Sequence, residues 1–320
     1  MNKYLVTGGA GFIGSHVVER LVADENEVVV LDDFSTGRRE NLAHVDGRRL
    51  KVVEGDVTKR KDVERAMVGV KYVLHHAALP SVSRSIADPV ATNAANVDGT
   101  LNVLVAARAA KTVKRVVYAS SSAAYGDTPT LPKTETMAPQ PMSPYAASKL
   151  AGEHYCRVFH MNYGLETICL RYFNVYGPRQ DADSDYAAVV PKFVSQLLDK
   201  KRPAVYGDGK QTRDFTYVAN VVEANLAACT SSKAPGEMVN IACGDRVTIS
   251  GLAIMIGEIV GNVIEPKLKP ARSGDVRHSL ADITRAQDVL GYRVRVNLRE
   301  GLERTVEWYS GKRAKKKGRS

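Results

Sequence analysis

Tyr145 and Lys149 stand four residues apart in Tyr145-Ala146-Ala147-Ser148-Lys149. On a helix that spacing puts both on one face, one turn apart. An ammonium beside a phenol favours the phenolate and is expected to lower the tyrosine's pKa. Tyrosine then becomes a usable general base near neutral pH. Alone, such a pair is common and carries little. Upstream lies Ser120-Ser121-Ser122-Ala123-Ala124-Tyr125-Gly126, where a hydroxyl could bridge a substrate and Tyr145. The blander reading of that stretch is a small-residue loop packed against a helix.

A second set of residues points to a phosphate group. Gly8, Gly11 and Gly14 fall in Thr7-Gly8-Gly9-Ala10-Gly11-Phe12-Ile13-Gly14, after an apolar run at 3–6 and before a stretch, 12–21, that is apolar at helical spacing. A dinucleotide's pyrophosphate rests on a helix N-terminus at such a turn. Gly8 allows the tight turn, Gly11 lets the backbone approach phosphate, and Gly14 lets the helix pack on the strand. Glycine loops also make plain turns, but here a second strand at 27–31 ends in Asp32. An acid about 20 residues beyond the loop suits the hydroxyls of an adenosine ribose.

These residues need a scaffold, and the chain provides one. Further apolar strands are expected at 50–56, 71–76, 114–120 and 166–171, alternating with helices at 59–68, 88–110 and 144–163. Near-continuous apolar strands between helices mean a parallel sheet covered on both faces, with ligands beyond the carboxyl ends of its strands. The second half is less regular. Helices are expected near 187–199, 218–229 and 249–260, extended pieces at 204–206 and 238–242, and turns at 207–210 and 272–275. The expected fold is α/β: a Rossmann-type doubly wound parallel sheet in 1–176, with a later return near 212–244, and a smaller α/β substrate-binding lobe in 177–310.

Composition sets the remaining bounds. The 320 residues are 44% apolar and 25% charged, ordinary for a globular protein. No apolar run approaches the ~20 residues of a membrane span. With a strand starting almost at Met1, the reading is no signal peptide and a cytoplasmic location. Cys156, Cys169, Cys229 and Cys243 show no paired spacing and no histidine partners, so they read as buried free thiols, with no metal site. The net charge of +10 does not point to nucleic acid. Lys312, Arg313, Lys315, Lys316, Lys317 and Arg319 supply six of those charges, which leaves about +4 elsewhere. The tail, 311–320, has no aromatic residue and no helical period, so it is expected to be disordered and solvated.

Taken in order, TGGAGFIG, LDDFSTG, EGDV, HHAAL, NVDGT, SSSAAYG, YAASK, LRYFNVYGP, GDGKQTRDF and SGDVRHSLAD resemble the extended short-chain dehydrogenase/reductases, and within them the nucleotide-sugar 4-epimerases. The resemblance covers residues 3 to about 309. It implies NAD as cofactor and a UDP-sugar as substrate. Ser121, four residues before Tyr125, matches the family's active-site serine or threonine, with Ser122 as a substitute. Tyr145 is its base, and Lys149 also holds the nicotinamide ribose.

The resemblance implies further cofactor contacts. They come from Phe12 and Ile13 beside the glycines, from Thr36 and Gly37, and from Asp56 and Val57 at the adenine. Ala77 and Ala78 line the pyrophosphate and nicotinamide ribose, with Asn96, Ser120 and Tyr172 completing the set. Asp32 would repel a 2′-phosphate and so favours NAD over NADP. Arg38 and Arg39 nearby read as a solvated loop. For the nucleotide sugar it implies Ser81, Asn174, backbone contacts from Ala188 and Val189, Ala204, Val205 and Tyr206 around the uracil, Arg213 and Arg272 on the diphosphate, and Asp275 on the uridine ribose. Arginine suits phosphate because its planar fork donates two parallel bonds.

Two comparisons within the family sharpen the reaction. Related 4,6-dehydratases resemble TDEVYG at the serine loop and need that acidic pair; here Ser122 and Ala123 stand there. Related UDP-glucuronate decarboxylases carry glutamate where this chain has Ala123. C4 epimerisation, which needs a base, a hydroxyl and bound NAD, fits better. A non-catalytic dinucleotide sensor or RNA-binding relative would usually lose the tyrosine–lysine pair, which this chain keeps. Enzymes restricted to UDP-glucose and UDP-galactose have tyrosine where this chain has Ser279, so an N-acetylated sugar is expected to fit. Relatives also pair helices equivalent to 88–110 and 144–163 as a four-helix bundle, which implies a homodimer.

Overall fold

The computed structural model describes residues 1–182, 188–270 and 276–317. The first half alternates strand and helix: β1 (Lys3–Thr7), α1 (Phe12–Ala23), β2 (Glu27–Asp32), β3 (Leu50–Glu54), α2 (Arg60–Ala66) and β4 (Tyr72–His75). Next come α3 (Val82–Ala87), α4 (Pro89–Asn93), a π-helical turn at Ala94–Asp98, α5 (Gly99–Ala109), β5 (Arg115–Ser121), α6 (Pro144–Tyr163) and β6 (Glu166–Tyr172). The helix expected over 88–110 is thus one run whose middle turn is wound wider.

The second half adds β7 (Val175–Tyr176), α7 (Val189–Leu198), β8 (Ala204–Tyr206), β9 (Thr212–Arg213), β10 (Thr216–Tyr217), α8 (Val218–Thr230) and β11 (Met238–Ile241). It closes with β12 (Val247–Thr248), α9 (Ile249–Val260), β13 (Lys267–Lys269), α10 (Thr284–Leu290) and α11 (Leu298–Lys317).

The main sheet has seven strands in the order β3-β2-β1-β4-β5-β6-β11, all parallel. Alternate residues of each strand face opposite layers. Val6, Val30, Leu74 and Val117 pack under α1 and α8, while Leu5, Val29, Val73 and Val116 pack under α2, α5 and α6. Strand order reverses between β1 and β4, which opens the crevice where such sheets bind ligands. Met238–Ile241, within the extended piece expected at 238–242, pairs with β6 and completes this sheet. A third core joins α7, α9 and α11 through Phe193, Val194, Leu252, Ile256, Leu302 and Val306.

One expectation is overturned. The basic tail is not disordered over 311–317, because α11 runs through Lys317. Leu302, Val306 and Tyr309 are buried on one face of that helix, and the basic residues extend it. Lys312 lies 5.1 Å above the Trp308 ring, one turn back. Arg313 reaches the end of α7, bonding Asp199 at 2.6 Å and the Ser195 hydroxyl at 2.8 Å. Among the described residues no helix is long and apolar enough to cross a membrane, and no cluster could hold a metal. All four cysteines are free thiols; Cys243 is partly exposed and the others are buried.

Candidate active site

The glycine turn sits at the switch point. Gly8 has φ 65°, a conformation that costs other residues strain, and a Cβ there would lie 2.7 Å from the Ala77 nitrogen at the end of β4. A Cβ on Gly14 would lie 2.2 Å from the Gly8 carbonyl oxygen, so only glycine lets α1 start this close to the loop. A Cβ on Gly11 would meet one protein atom, the Gly8 oxygen at 3.1 Å; the rest of that side is an open cradle at a helix N-terminus. Phe12 and Ile13 form the first turn of α1.

Asp32, 6% exposed, ends β2. Its carboxylate accepts from the Ala10 nitrogen at 2.8 Å and the Phe34 nitrogen at 2.9 Å. Two such bonds leave lone pairs for hydroxyl donors. Burial pushes its pKa up, against those two hydrogen bonds. Gly37 is buried against it, while Thr36 is exposed. Arg38 binds Asp181 and Arg39 binds Glu54, so both loop arginines have acidic partners.

Across the crevice, Asp56 caps the turn after β3 by accepting from the Thr58 nitrogen. Val57 is buried beneath α5. The Ala77 nitrogen donates to Thr7 Oγ1, and Ala78 follows it. These groups fit a dinucleotide: a glycine cradle, a buried acid at the second strand's end, and apolar walls.

Ser143 caps α6 through the Ala146 nitrogen at 3.1 Å, with Pro144 as the first helical residue. Tyr145 therefore lies in the first turn, half-buried at the mouth of the crevice. Ser121 Oγ accepts from the Ala123 nitrogen at 3.2 Å, and the Ser121 side chain lies near enough to the Tyr145 phenol to act on its pKa. Ser122 is half-buried at the start of the short helical turn Ser122–Tyr125.

The expected lowering of the Tyr145 pKa is not found. Burial raises it, and Ser121 is the group that opposes burial. The Lys149 ammonium instead donates to the Ala119 carbonyl at 2.8 Å and lies 5.1 Å from the Tyr118 ring centre. Burial pushes that ammonium down to about 8, with Glu153 and then Cys156 acting against it.

Three expected cofactor residues bond the protein itself. Asn96 accepts from the Leu79 nitrogen and donates to the Leu79 oxygen and to Ser148 Oγ, which in turn donates to the Tyr145 carbonyl. Its amide thus ties the loop after β4 to the first turn of α6. Ser120 donates its only proton to Glu153 at 2.5 Å. Tyr172 bonds Asn225 through its hydroxyl and stacks on His76 at 6.2 Å.

On the second lobe's side, Asn174 holds φ 31°, a strained value that asparagine tolerates better than most residues, and donates to the Asp214 carbonyl. Ala188 caps α7 and Val189 begins it, so backbone N–H groups of that first turn have no intrahelical partner. Val205 is fully buried and can offer only its backbone, between half-buried Ala204 and Tyr206. Lys269 lies 5.6 Å over the Tyr206 ring.

Arg213 bonds the Thr212 carbonyl, and the Ser279 nitrogen bonds the same oxygen at 3.0 Å. Ser279 is 8% exposed. Ser81 caps α3 through the Arg84 nitrogen. Arg272 and Asp275 lie outside the described residues.

Sequence reasoning missed two buried acids. Glu153, eight residues after Tyr145 and four after Lys149, pairs with Arg171 at 2.6 Å; that helical spacing was a signal. Asp214, fully buried, accepts from the Cys243, Gly244 and Ala281 nitrogens. It pins the loop after β11 to the extended segment that follows Ser279. Burial pushes its carboxyl up to about 6, against those three N–H groups.

Comparison with known proteins agrees with this arrangement. Residues 4–242 match the NAD dependent epimerase/dehydratase family. The chain is 40% identical over 314 residues to the UDP-glucose 4-epimerase of Mycolicibacterium smegmatis, covering 97% of this chain and 99% of that protein. It is 36% identical over 310 residues to UDP-glucuronic acid decarboxylase 1 of Arabidopsis thaliana, covering 95% of this chain and 69% of that one. Among solved structures, UDP-N-acetylglucosamine 4-epimerase from Methanobrevibacter ruminantium M1, in complex with UDP-N-acetylmuramic acid, superposes with a TM-score of 0.93 at 40% identity, covering 97% of this chain and 99% of that one. The chain belongs to the NAD dependent epimerase/dehydratase family and takes NAD as its cofactor.

Proposed function

We propose that the protein inverts C4 of a UDP-hexose through a transient 4-keto sugar. One observation carries the reading. The Ser121 side chain stands beside the Tyr145 phenol and opposes the rise of its pKa, while positions 122 and 123 hold serine and alanine instead of the acids that water elimination or decarboxylation would use. A bound NAD would supply the hydride acceptor and donor at C4. Tyr145 takes the C4 hydroxyl proton and later gives it back. Ser121 orients that hydroxyl, and Lys149 places a positive charge behind the phenol. Asp32 would hold the adenosine ribose, and the glycine turn the pyrophosphate.

The substrate reading is finer. Arg213 supports a diphosphate site, β8 a uracil site, and the first turn of α7 backbone donors. Ser279 leaves room for a C2 N-acetyl group, so we read both UDP-N-acetylglucosamine and plain UDP-glucose as substrates. The dimer reading rests on exposed apolar side chains along the outer helices, Val90 at 77% on α4 and Met161 at 68% on α6.

Purified protein incubated separately with UDP-glucose, UDP-N-acetylglucosamine and UDP-glucuronate tests the proposal. Chromatography should separate the matching galacto-configured product from each of the first two. A UDP-pentose formed from UDP-glucuronate, or a 4-keto-6-deoxy sugar, with no galacto product, would overturn it.

A further inference from the structure

Glu153 is the residue behind the Tyr145–Lys149 pair that neither the motif nor the proposed chemistry uses. Tyr145, Lys149 and Glu153 recur every fourth residue along one face of α6. Glu153 is 6% exposed and bonded through both carboxylate oxygens: Oε1 accepts from Ser120 Oγ at 2.5 Å and Arg171 Nε at 2.7 Å, and Oε2 from Arg171 Nη2 at 2.6 Å. Ser120 precedes Ser121 on β5, and Arg171 precedes Tyr172 on β6. One carboxylate therefore clamps α6 to both strands that carry site residues. Arg171 is 1% exposed and lies 4.5 Å from the Tyr125 ring centre. A buried ion pair adds little or nothing to stability over apolar residues of the same volume, while removing one partner is costly.

We propose that Glu153 is a positioning residue for the catalytic pair: it fixes α6 against β5 and β6, and its carboxylate is the counter-charge of the Lys149 ammonium. The inference rests on the reading of Tyr145 and Lys149 given above. Lys149 meets several groups. On α6 these are Glu153 and Cys156; β5 adds the Tyr118 ring and the Ala119 carbonyl; β4 and its end add His75 and His76, both held neutral by burial with Lys149 adding to it. Among these, Glu153 is the group that most opposes the loss of the lysine proton. Arg171 is bound to that carboxylate on β6.

The test uses the NAD-loaded protein with lysine side chains isotope-labelled, the Lys149 signal being assigned by its loss in Lys149→Met. In the wild type the ammonium should titrate near pH 8; titration below pH 7 overturns the proposal without any variant. Glu153→Gln leaves Arg171 charged and unpaired, so the double variant E153Q/R171Q, neutral at both positions, is compared with it. If it folds, Lys149 should titrate at least one unit lower, with roughly a fivefold smaller ammonium fraction at pH 8. The alkaline limb of kcat should move down with it, and Glu153→Asp should restore that limb.

An unchanged Lys149 titration in E153Q/R171Q, with activity reduced equally at every pH, would make Glu153 purely structural. Failure of the underlying reading is seen separately, as Tyr145→Phe retaining activity.

Discussion

The Lys149 ammonium donates to the Ala119 carbonyl oxygen at 2.8 Å, which fixes the base-bearing helix to the strand that ends in Ser121. The lysine thus has a framework partner before any ligand is considered. The Tyr145 phenol meets burial on one side and Ser121 on the other. Its activation depends on where the charge of Lys149 is held and on the ligands that fill the crevice.

Tyr145→Phe removes only the phenol oxygen. Epimerisation should fall at least a hundredfold, the usual contribution of a general base being ~10² or more. NAD released on denaturation should match the wild type. A variant keeping more than a tenth of the activity would remove Tyr145 from its role.

Ser279→Tyr places a ring beside Thr212 and Arg213. Turnover of UDP-N-acetylglucosamine should drop about five- to two-hundredfold, the equivalent of the roughly 1–3 kcal/mol that overpacking costs. UDP-glucose turnover should change little. Equal slowing of both sugars, measured as kcat/KM, would show that this position is not the gate.

His75 is held between Thr7 Oγ1 at 2.6 Å and Thr100 Oγ1 at 3.0 Å, and burial pushes it down to about 3. Its folded pKa lies below the unfolded ~6.5. Its stabilisation is therefore complete above pH 6.5 and lost as pH falls toward 3, at about 1.4 kcal/mol per unit. His76, also pushed down to about 3, has the same sign.

Asp214, pushed up to about 6, has the opposite sign: its contribution is present below ~3.8 and lost as pH rises through 6. Urea midpoints at pH 7, 6 and 5 should fall overall. In Asp214→Asn they should fall more steeply; equal slopes in the two proteins would refute the Asp214 assignment.

Deleting 311–320 should leave turnover intact and lower the melting temperature by about 1 °C. Arg313 and Asp199 are both partly exposed, and such pairs contribute ~0.2–1 kcal/mol. An unchanged melting curve would show that the docking of Arg313 adds nothing.

Met161→Glu charges the outer face of α6. Light scattering should give twice the 34.8 kDa chain mass for the wild type and a single chain mass for the variant. A monomeric wild type at micromolar concentration would dispose of the dimer.

What was legible in the sequence was local. Gly8, Gly11, Gly14 and Asp32 form a short-range pattern around one turn and one strand end. Tyr145 and Lys149 are one helical turn apart. What escaped depended on distant partners. Glu153 gains its meaning from Arg171 and Ser120, and Asp214 from three backbone groups as far away as Ala281. The helical tail was hidden because charge alone describes its last turns; the apolar period that starts it lies before residue 311. The tyrosine pKa went the other way because burial outweighs a lysine whose ammonium has another acceptor.

The strand order has a consequence for synthesis. β11 pairs with β6, yet residues 173–237 separate them in the chain. While those residues are being made, roughly 3–13 s at ordinary elongation rates, the nascent sheet presents the open edge of β6, an apolar strand able to pair with another chain. The N-terminal portion therefore leaves the ribosome as a folding intermediate with a sticky border. Neither it nor the second lobe can be released as a finished unit before Ile241 arrives.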